Sequence, residues 1–457
     1  MKVILTPVGS AGDINPFIVV GRELRRRGHD VTLLAVDPFA DIVSKAGLHF
    51  VSVGTSDEFD QATNDPNLWH PTRGPRIVFR AVVDGMRRGY DVIEQQFEPG
   101  RTMLVGHPLS VCTRVFEEVH NVPAATVHLA PSILRSDFQQ PALPSGQDLS
   151  SWPRWVKRTL WWAADRLAVD PVLVPPLNAW RSELGLPPIS RIFQSWINSP
   201  QRILGFFPDW FAPPQPDWPP QLRLTGFTLS DRSCAPATLG AAAEADTAAH
   251  AENAALEMFL ASGDPPLVFT PGSANRHAER FFRAAVDAAV RMGHRTVLVS
   301  SYREHVPADL PDIVHHAPYA TFATLFPRAA AVVHHGGIGT CAQGLAGGAP
   351  QLTMPMGFDQ PDNALRLKRL GVGESLSPAQ FNGSRVADAL QRLLTSTEVA
   401  KACKASQRRL RAEDGVGSAC DLIEEQFNAS PGRADPTGFL PDPGRRPTAH
   451  TPRRAER

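Results

Sequence analysis

The chain has 457 residues, of which 42% are apolar, and its 46 basic side chains balance 46 acidic ones. This length predicts two domains with accessory segments, and the balanced charge argues against nucleic acid as a partner. The five cysteines show no C-x-x-C spacing, which argues against a disulfide scaffold or a structural zinc site and favours the cytoplasm.

The first part of the chain alternates short β-branched runs with amphipathic runs of helical length. Its opening apolar run is too short for a signal peptide, and no window reaches the length of a membrane span. Strands that alternate with helices predict a parallel, doubly wound sheet, which we place at residues 1–228. The pattern is carried by "KVILTPV", "NPFIVVGRELRRRGH", "DVTLLAV", "TMLVG", "VCTRVFEEVHN" and "PAATVHLAP".

The second half repeats this organisation. Residues 229–255 are rich in Ala, Ser and Thr and are interpreted as a linker, after which "PPLVFTPGS" starts a second doubly wound domain at 256–410. A C-terminal helix is expected at 411–428 and a disordered tail, dense in Pro, Gly and Arg, at 429–457. Ligands of such sheets bind beyond the carboxyl ends of the strands, so two facing sheets predict a cleft between them.

The loop after the first strand reads "PVGSAGDINPF". Gly9 and Gly12 permit a tight turn, and Asp13 lies where a helix should start. Asp13 is either a helix cap that accepts from free backbone N–H groups or a base that faces the cleft. The loop by itself leaves both alternatives open.

Two strand ends of the second domain favour a phosphate. "TPGS" offers backbone and hydroxyl donors after one strand, and "VVHHGGIGT" runs from another strand through glycines into a helix, whose free N–H groups suit a diphosphate. The alternative is a buried, satisfied histidine beside an ordinary glycine turn. The candidate residues are Gly272, Ser273, His335, Gly337, Gly339 and Thr340.

The next strand, "PQLTMP", leads into "MGFDQPDNALRLKRLG". Asp359 and Gln360 therefore lie at the mouth of the sheet, where a carboxylate beside an amide can accept from and donate to adjacent hydroxyls. These two residues are candidates for binding a sugar. A helix-capping role for Asp359 is the alternative.

Three motifs together resemble the nucleotide-sugar-dependent glycosyltransferases of the UDP-glycosyltransferase-like family, which have two Rossmann-like domains (GT-B). The motifs are "GSAGDINPF", "VFTPGS" and "HHGGIGTCAQGLAGGAPQLTMPMGFDQPDNA", and the resemblance covers residues 1 to about 425. The segment from Arg191 to Phe227 is most similar to the bacterial rhamnosyltransferases of rhamnolipid synthesis.

The resemblance implies that His335, Gly339 and Thr340 bind the diphosphate with help from Ser273. Asp359 and Gln360 would then hold the sugar hydroxyls. Tyr319 and Phe322 are candidates for the wall of the nucleobase site, although they could equally be core residues.

The resemblance also implies that Asp13 is the catalytic base. Plant relatives have a histidine in this loop, oriented by an aspartate, whereas the sterol and antibiotic enzymes have an aspartate as this chain does. His107, at the end of "TMLVG", falls near the partner position, so an Asp13–His107 pair with exchanged roles is a hypothesis.

The reaction implied is a single displacement with inversion, in which Asp13 deprotonates the acceptor hydroxyl. The chain contains no D-x-D pattern for a divalent cation, so we expect neither a metal nor another cofactor. The expected donor is dTDP-L-rhamnose and the expected acceptor a lipid-like 3-(3-hydroxyalkanoyloxy)alkanoate. Alternatives are a glucosyltransferase for a sterol or polyketide, a sugar-nucleotide epimerase, and a non-catalytic auxiliary protein.

One segment, "SWPRWVKRTLWWAADRLAVDPVL", mixes aromatic and basic side chains. This composition suits an apolar acceptor channel or a peripheral contact with the inner membrane, and ordinary helix packing is the alternative. The residues concerned are Trp152, Arg154, Trp155, Lys157, Arg158, Trp161 and Trp162.

Overall fold

The computed structural model describes residues 1–70, 73–143, 145–229, 245–273 and 275–429. These residues form two parallel sheets flanked by helices, which confirms the predicted α/β class with two doubly wound halves. Most of the predicted linker and almost all of the predicted tail lie outside the described residues. The exact domain boundaries therefore stay a prediction.

The first sheet has strands in the order β3-β2-β1-β4-β5-β6-β7, and each neighbouring pair is parallel. Its central strands are continuous apolar runs because helices cover both faces of the sheet. The strands are β1 Lys2–Thr6, β2 Asp30–Val36, β3 His49–Gly54, β4 Thr102–Gly106, β5 Ala124–His128, β6 Ile203–Gly205 and β7 Leu222–Leu224.

The helices of this half pack on the two faces of the sheet, where they bury separate apolar cores. A π-helical segment, Asp165–Val169, follows α6 directly. The helices are α1 Ala11–Arg26, α2 Ala40–Lys45, α3 Ser56–Asn64, α4 Gly74–Gln96, α5 Val111–His120, α6 Arg154–Ala164, α7 Asp170–Glu183 and α8 Ile192–Ser195.

The second sheet has the order β10-β9-β8-β11-β12-β13 and is also parallel throughout. Helix α9 overlaps the end of the predicted linker. The strands are β8 Leu267–Thr270, β9 Thr296–Val299, β10 Val314–Ala317, β11 Ala331–His334, β12 Gln351–Thr353 and β13 Gly373–Ser375. The helices are α9 Ala245–Ala261, α10 Glu279–Met292, α11 Phe322–Leu325, α12 Ile338–Gly347, α13 Gln360–Arg369, α14 Gly383–Thr395, α15 Thr397–Arg411 and α16 Gly415–Ala429.

The last helix, α16, returns to the first sheet. Its buried residues Cys420, Ile423 and Phe427 belong to the same apolar core as Val20 and Leu24 of α1. Removal of this apolar surface from water ties the end of the chain to its beginning.

In each sheet the strand order reverses between two neighbouring strands. This switch lies between β1 and β4 in the first sheet and between β8 and β11 in the second. Ligands of doubly wound sheets bind beyond the strand ends at such a point. The loops after these four strands, with the first turns of the helices that follow them, contain most of the candidate residues. No helix within the described ranges is long and apolar enough to cross a membrane.

Candidate functional site

A cleft of about 2450 Å³ separates the strand ends of the two sheets. All the candidate site residues line this cleft. They are Gly12, Asp13, His107, Gly272, Ser273, Tyr319, Phe322, His335, Gly337, Gly339, Thr340, Asp359 and Gln360.

Asp13 is the third residue of α1 and is partly exposed to the cleft. One of its oxygens, Oδ2, accepts from the Ser10 backbone N–H at 2.7 Å and from the Ser10 hydroxyl at 3.1 Å. Burial raises the pKa of Asp13 to about 6, although the Ser10 hydrogen bonds oppose the rise. The helix cap is therefore Ser10 rather than Asp13, and the carboxylate both completes the cap and faces the cleft.

The turn before α1 requires glycine at position 9. Gly9 has a φ of 136°, and a Cβ there would lie 2.2 Å from Asp13 Oδ2. Any other residue would push the carboxylate away from Ser10.

The structure does not pair His107 with Asp13, which corrects the hypothesis of exchanged roles. His107 lies beyond β4, and its Nδ1 accepts from the Leu109 backbone N–H at 3.2 Å. Burial, and secondarily His128, lower the pKa of His107 to about 3, so the ring is neutral. His107 stays at the cleft as a wall residue without a hydrogen bond to the carboxylate among the described side chains.

His335 stands between two glycines of different loops. A Cβ on Gly272 would lie 2.6 Å from its Cε1, and a Cβ on Gly337 would lie 2.4 Å from its Nε2. Its Nδ1 is buried and has no hydrogen-bond partner among the described residues. Burial lowers the pKa of His335 to about 4, so the ring is neutral at pH 7. A neutral ring with an unpartnered nitrogen can donate to an anion beside the start of α12.

A buried network that the sequence analysis missed holds the turn after β11. His334 bonds Gln351 Oε1 at 2.9 Å through Nε2 and accepts from the Gly336 N–H at 3.1 Å through Nδ1. Asn363 donates to the Gly336 carbonyl at 2.9 Å and to Asp359 Oδ2 at 2.7 Å. The four-residue spacing of Asp359 and Asn363 on one helix is the signal that could have revealed this contact.

Asp359 faces Asp13 across the cleft. Its pKa is raised to about 7, first by burial and then by the negative charge of Asp13. Asn363 and the backbone N–H of Ile338 oppose that rise. Both carboxylates line the same cleft, so the candidate base and the candidate sugar-binding carboxylate share one site.

The side chain of Gln360 is oriented by the loop before it. Its Oε1 accepts from the N–H groups of Met356 at 2.8 Å and Gly357 at 3.3 Å, which leaves the amide nitrogen as a donor. The neighbouring Phe358 has a φ of 56° and is 46% exposed. Its ring meets that of Trp69, from the other half of the chain, with centroids 5.7 Å apart.

Tyr319 and Phe322 lie at the end of β10, the far edge of the second sheet. Tyr319 is 38% exposed, whereas Phe322 stacks on the buried Phe326 with ring centroids 4.4 Å apart. Both rings line the cleft. Phe322 is thus anchored in the core and still presents a surface to a ligand.

The aromatic and basic segment divides between the cleft and the solvent. Leu160, Trp161 and Ala164 of α6 line the cleft. Lys157 is buried, and its Nζ donates to the carbonyls of Phe138 at 2.7 Å and Ser150 at 3.0 Å, so this cation is not solvated. The exposed residues are Trp152, Trp155, Trp162 and Leu167, and the guanidinium group of Arg154 lies over the ring of Phe138.

The fold and the site define a two-domain nucleotide-sugar transferase architecture (GT-B). Residues 3–85 match the model of the glycosyltransferase family 28 N-terminal domain. Residues 283–417 match that of the erythromycin biosynthesis protein CIII-like C-terminal domain.

Individual proteins match over nearly the whole chain. O-mycaminosyltylonolide 6-deoxyallosyltransferase of Streptomyces fradiae is 31% identical over 451 residues, which cover 93% of this chain and 97% of that protein. The solved glycotransferase of kitacinnamycin has a TM-score of 0.68 at 21% identity, covering 93% of this chain and 99% of that one. Spinosyn rhamnosyltransferase SpnG complexed with thymidine diphosphate has a TM-score of 0.64 at 17% identity, covering 93% and 100%.

The chain belongs to the family of antibiotic-type glycosyltransferases, and it is a glycosyltransferase.

Proposed function

We propose that this enzyme transfers a 6-deoxyhexose, with L-rhamnose from dTDP-L-rhamnose as the first candidate, to a hydroxyl of an apolar acceptor with inversion. The observation that carries the proposal is that Asp13, Asp359 and His335 line one cleft, with Nδ1 of His335 unpartnered among the described residues. This arrangement supplies a base, a sugar-binding pair and an anion site within one cavity.

The proposed step is a single displacement. Asp13 takes the proton of the acceptor hydroxyl, the acceptor oxygen bonds to the anomeric carbon, and the bond from that carbon to the diphosphate breaks. The electron pair leaves on the nucleoside diphosphate. The N–H groups at the start of α12 and the neutral ring of His335 stabilise the added negative charge.

Two observations support a 6-deoxy sugar. The Streptomyces fradiae relative is named as a 6-deoxyallosyltransferase. The exposed ring of Phe358, next to Asp359 and in contact with Trp69, places apolar surface beside the candidate sugar-binding pair. A methyl group in place of a hydroxymethyl group suits that surface.

The lining of the N-terminal side supports an apolar acceptor. Apolar side chains line the cleft there, among them Leu109, Ile133, Leu143, Phe79 and Val82. Within this class we propose hydroxylated natural products of the macrolactone type, because the named relative acts on O-mycaminosyltylonolide. The hydroxyalkanoyloxyalkanoate implied by the rhamnolipid enzymes is the second candidate.

A peripheral contact with a membrane belongs to this proposal. Trp155 is 70% exposed, Trp162 is 57% exposed and Leu167 is 70% exposed, and all three lie beside the part of α6 that lines the cleft. Exposed tryptophans near arginines suit the interface of an anionic bilayer. An apolar acceptor would then reach the cleft from the lipid.

The test incubates the protein with dTDP-L-rhamnose, dTDP-glucose or UDP-glucose and one of three acceptors: a macrolactone, a sterol or a 3-(3-hydroxyalkanoyloxy)alkanoate. We expect a rhamnosylated product by mass spectrometry, and NMR coupling should show inversion at the anomeric carbon. Conversion of the donor without an acceptor would instead indicate an epimerase. Binding of dTDP without turnover of any pair would indicate an auxiliary protein.

A further inference from the structure

Two polar side chains of the N-terminal wall of the cleft have atoms without hydrogen-bond partners. Gln140 is 3% exposed, and its Oε1 is buried with no partner among the described residues. The indole Nε1 of Trp161 is also buried and unpartnered. Both residues line the cleft. Unpaired buried polar atoms are unfavourable in a folded protein, so their presence at a ligand cavity requires an explanation.

The ring of Trp161 is fixed by a buried ion pair. Arg135 makes two hydrogen bonds of 2.5 Å to the carboxylate of Asp165, which is 1% exposed. The guanidinium group of Arg135 lies 4.6 Å from the ring centroid of Trp161. Asp165 starts the π-helical segment, a rare geometry that often marks a functional site. The indole nitrogen is therefore held in one position.

The neighbouring residue, Gln139, shows that this loop can provide a hydrogen-bond partner for a side-chain carboxamide. Gln139 accepts from Gln215 Nε2 at 3.1 Å and does not line the cleft. Gln140, one residue later, has no such contact. The difference lies in which side chain faces the cleft.

We infer that Gln140 and Trp161 form an acceptor subsite that binds oxygens other than the one that reacts. The carboxamide of Gln140 pairs with a second hydroxyl of the acceptor, and the N–H of Trp161 donates to a carbonyl or ether oxygen. Since the surrounding wall is apolar, these contacts orient the acceptor and select which hydroxyl meets Asp13. The inference rests on the proposed function, because it concerns the acceptor of that reaction.

The test compares Gln140→Met with the matched control Gln139→Met. The acceptor is the compound transferred fastest in the panel above, together with analogues that each lack one oxygen. We expect Gln140→Met to raise the acceptor KM about three- to tenfold, the effect of one lost neutral hydrogen bond, and to leave dTDP binding unchanged. Gln140→Met and the wild type should transfer the sugar equally well to the analogue that lacks the second hydroxyl.

Stability separates a binding role from a structural one. Since the side chain of Gln140 has no hydrogen bond to the described residues, Gln140→Met should leave the urea midpoint unchanged or raise it, whereas Gln139→Met should lower it slightly. Trp161→Phe keeps the ring and removes the N–H, and it should raise KM for the acceptor with a carbonyl more than for its deoxo analogue. A lower urea midpoint for Gln140→Met with an unchanged acceptor KM would overturn the inference. Absence of any transfer by the wild type would instead refute the proposed function.

Discussion

The two walls of the cleft differ in how their polar side chains are held. On the C-terminal wall, His334 bonds Gln351 and the turn at Gly336, and Asn363 donates to the carbonyl of that turn. On the N-terminal wall, Gln140 Oε1 and Trp161 Nε1 are buried without a hydrogen-bond partner among the described residues. The turn of the first wall is thus held before a ligand binds, while Nδ1 of His335 beside it has no partner among the described residues. The second leaves the specific contacts to the acceptor.

The largest effect is expected from a substitution that removes the proposed base from the N-terminal wall. Asp13→Asn should lower the rate of sugar transfer about 10²- to 10⁴-fold, because proton removal by a positioned carboxylate contributes that much. Isothermal titration with dTDP should give an unchanged affinity, since the diphosphate contacts lie on the other wall. Full activity of the variant would remove Asp13 from the mechanism.

The next effect disturbs the C-terminal wall. Gly272 has a φ of 89°, and a Cβ there would lie 2.6 Å from the ring of His335. Gly272→Ala should displace that ring and weaken dTDP binding about 10- to 100-fold.

Gly339→Ala is the matched control for that variant. Nothing lies within 4 Å of a Cβ at Gly339, and the backbone N–H is kept, so Gly339→Ala should weaken dTDP binding less than Gly272→Ala does. Equal loss in both variants would mean that displacement of His335 is not the cause. Circular dichroism checks that both proteins are folded.

A smaller effect couples the two walls through charge. Burial raises the pKa of Asp13 from 3.8 to about 6 and that of Asp359 to about 7. A carboxyl with a higher pKa in the folded state binds more protons there, so the free energy of unfolding falls as the pH rises from about 4 to about 7. Asp13→Asn should therefore stabilise the protein by about 1 kcal/mol at pH 8, a value reduced for partial exposure, and hardly at pH 4.

The same substitution should lower the pKa of Asp359, because the negative charge of Asp13 contributes to the raised pKa of Asp359. NMR titration measures this shift directly. Turnover has the opposite pH dependence to stability, since the base must be ionised, and wild-type kcat/KM should fall below a pH of about 6. An unshifted Asp359 would show that the two carboxylates do not interact.

A weaker effect is expected where the walls touch through aromatic rings. Trp69→Leu removes the edge contact with Phe358, whose centroid lies 5.7 Å from that of Trp69. Such a pair contributes about 0.5–1.5 kcal/mol, so the KM for the donor should rise a few-fold. Arg276 and Asp60 form an ion pair between the walls, with 2.6 Å between the guanidinium nitrogen and the carboxylate oxygen. Asp60→Asn therefore serves as the control, because it weakens a contact between the walls without changing the aromatic pair. A change in the acceptor KM alone would mean that the two rings contribute to acceptor binding instead of donor binding.

The smallest expected effect is that of a chelator. With His335 and the start of α12 as the groups that stabilise the leaving diphosphate, EDTA should leave the transfer rate unchanged. Loss of activity that magnesium restores would contradict the metal-independent step. A bound cation would then share the stabilisation of the leaving diphosphate with the C-terminal wall.

The turn that holds His335 could be predicted because local sequence fixes it. A β-branched strand followed by glycines and a helix start favours such a turn. The partner of His107 could not be predicted, because the choice between Asp13 and the N–H of Leu109 depends on how two loops of one sheet are oriented. The environment of Lys157 likewise could not be predicted from its segment, because the two carbonyls that accept from its buried Nζ belong to Phe138 and Ser150, outside α6.

The sequence by itself determined the alternation of strands and helices, and hence the α/β class and the strand ends at which polar residues gather. These are properties of neighbouring residues, set by periodicity, turn chemistry and helix capping. Only the tertiary structure decided that Asp13 faces Asp359, that two glycines from separate loops enclose His335, and that Gln140 stays unpaired. Each of these depends on contacts between segments far apart in the chain, where burial and charge act through space rather than along the backbone.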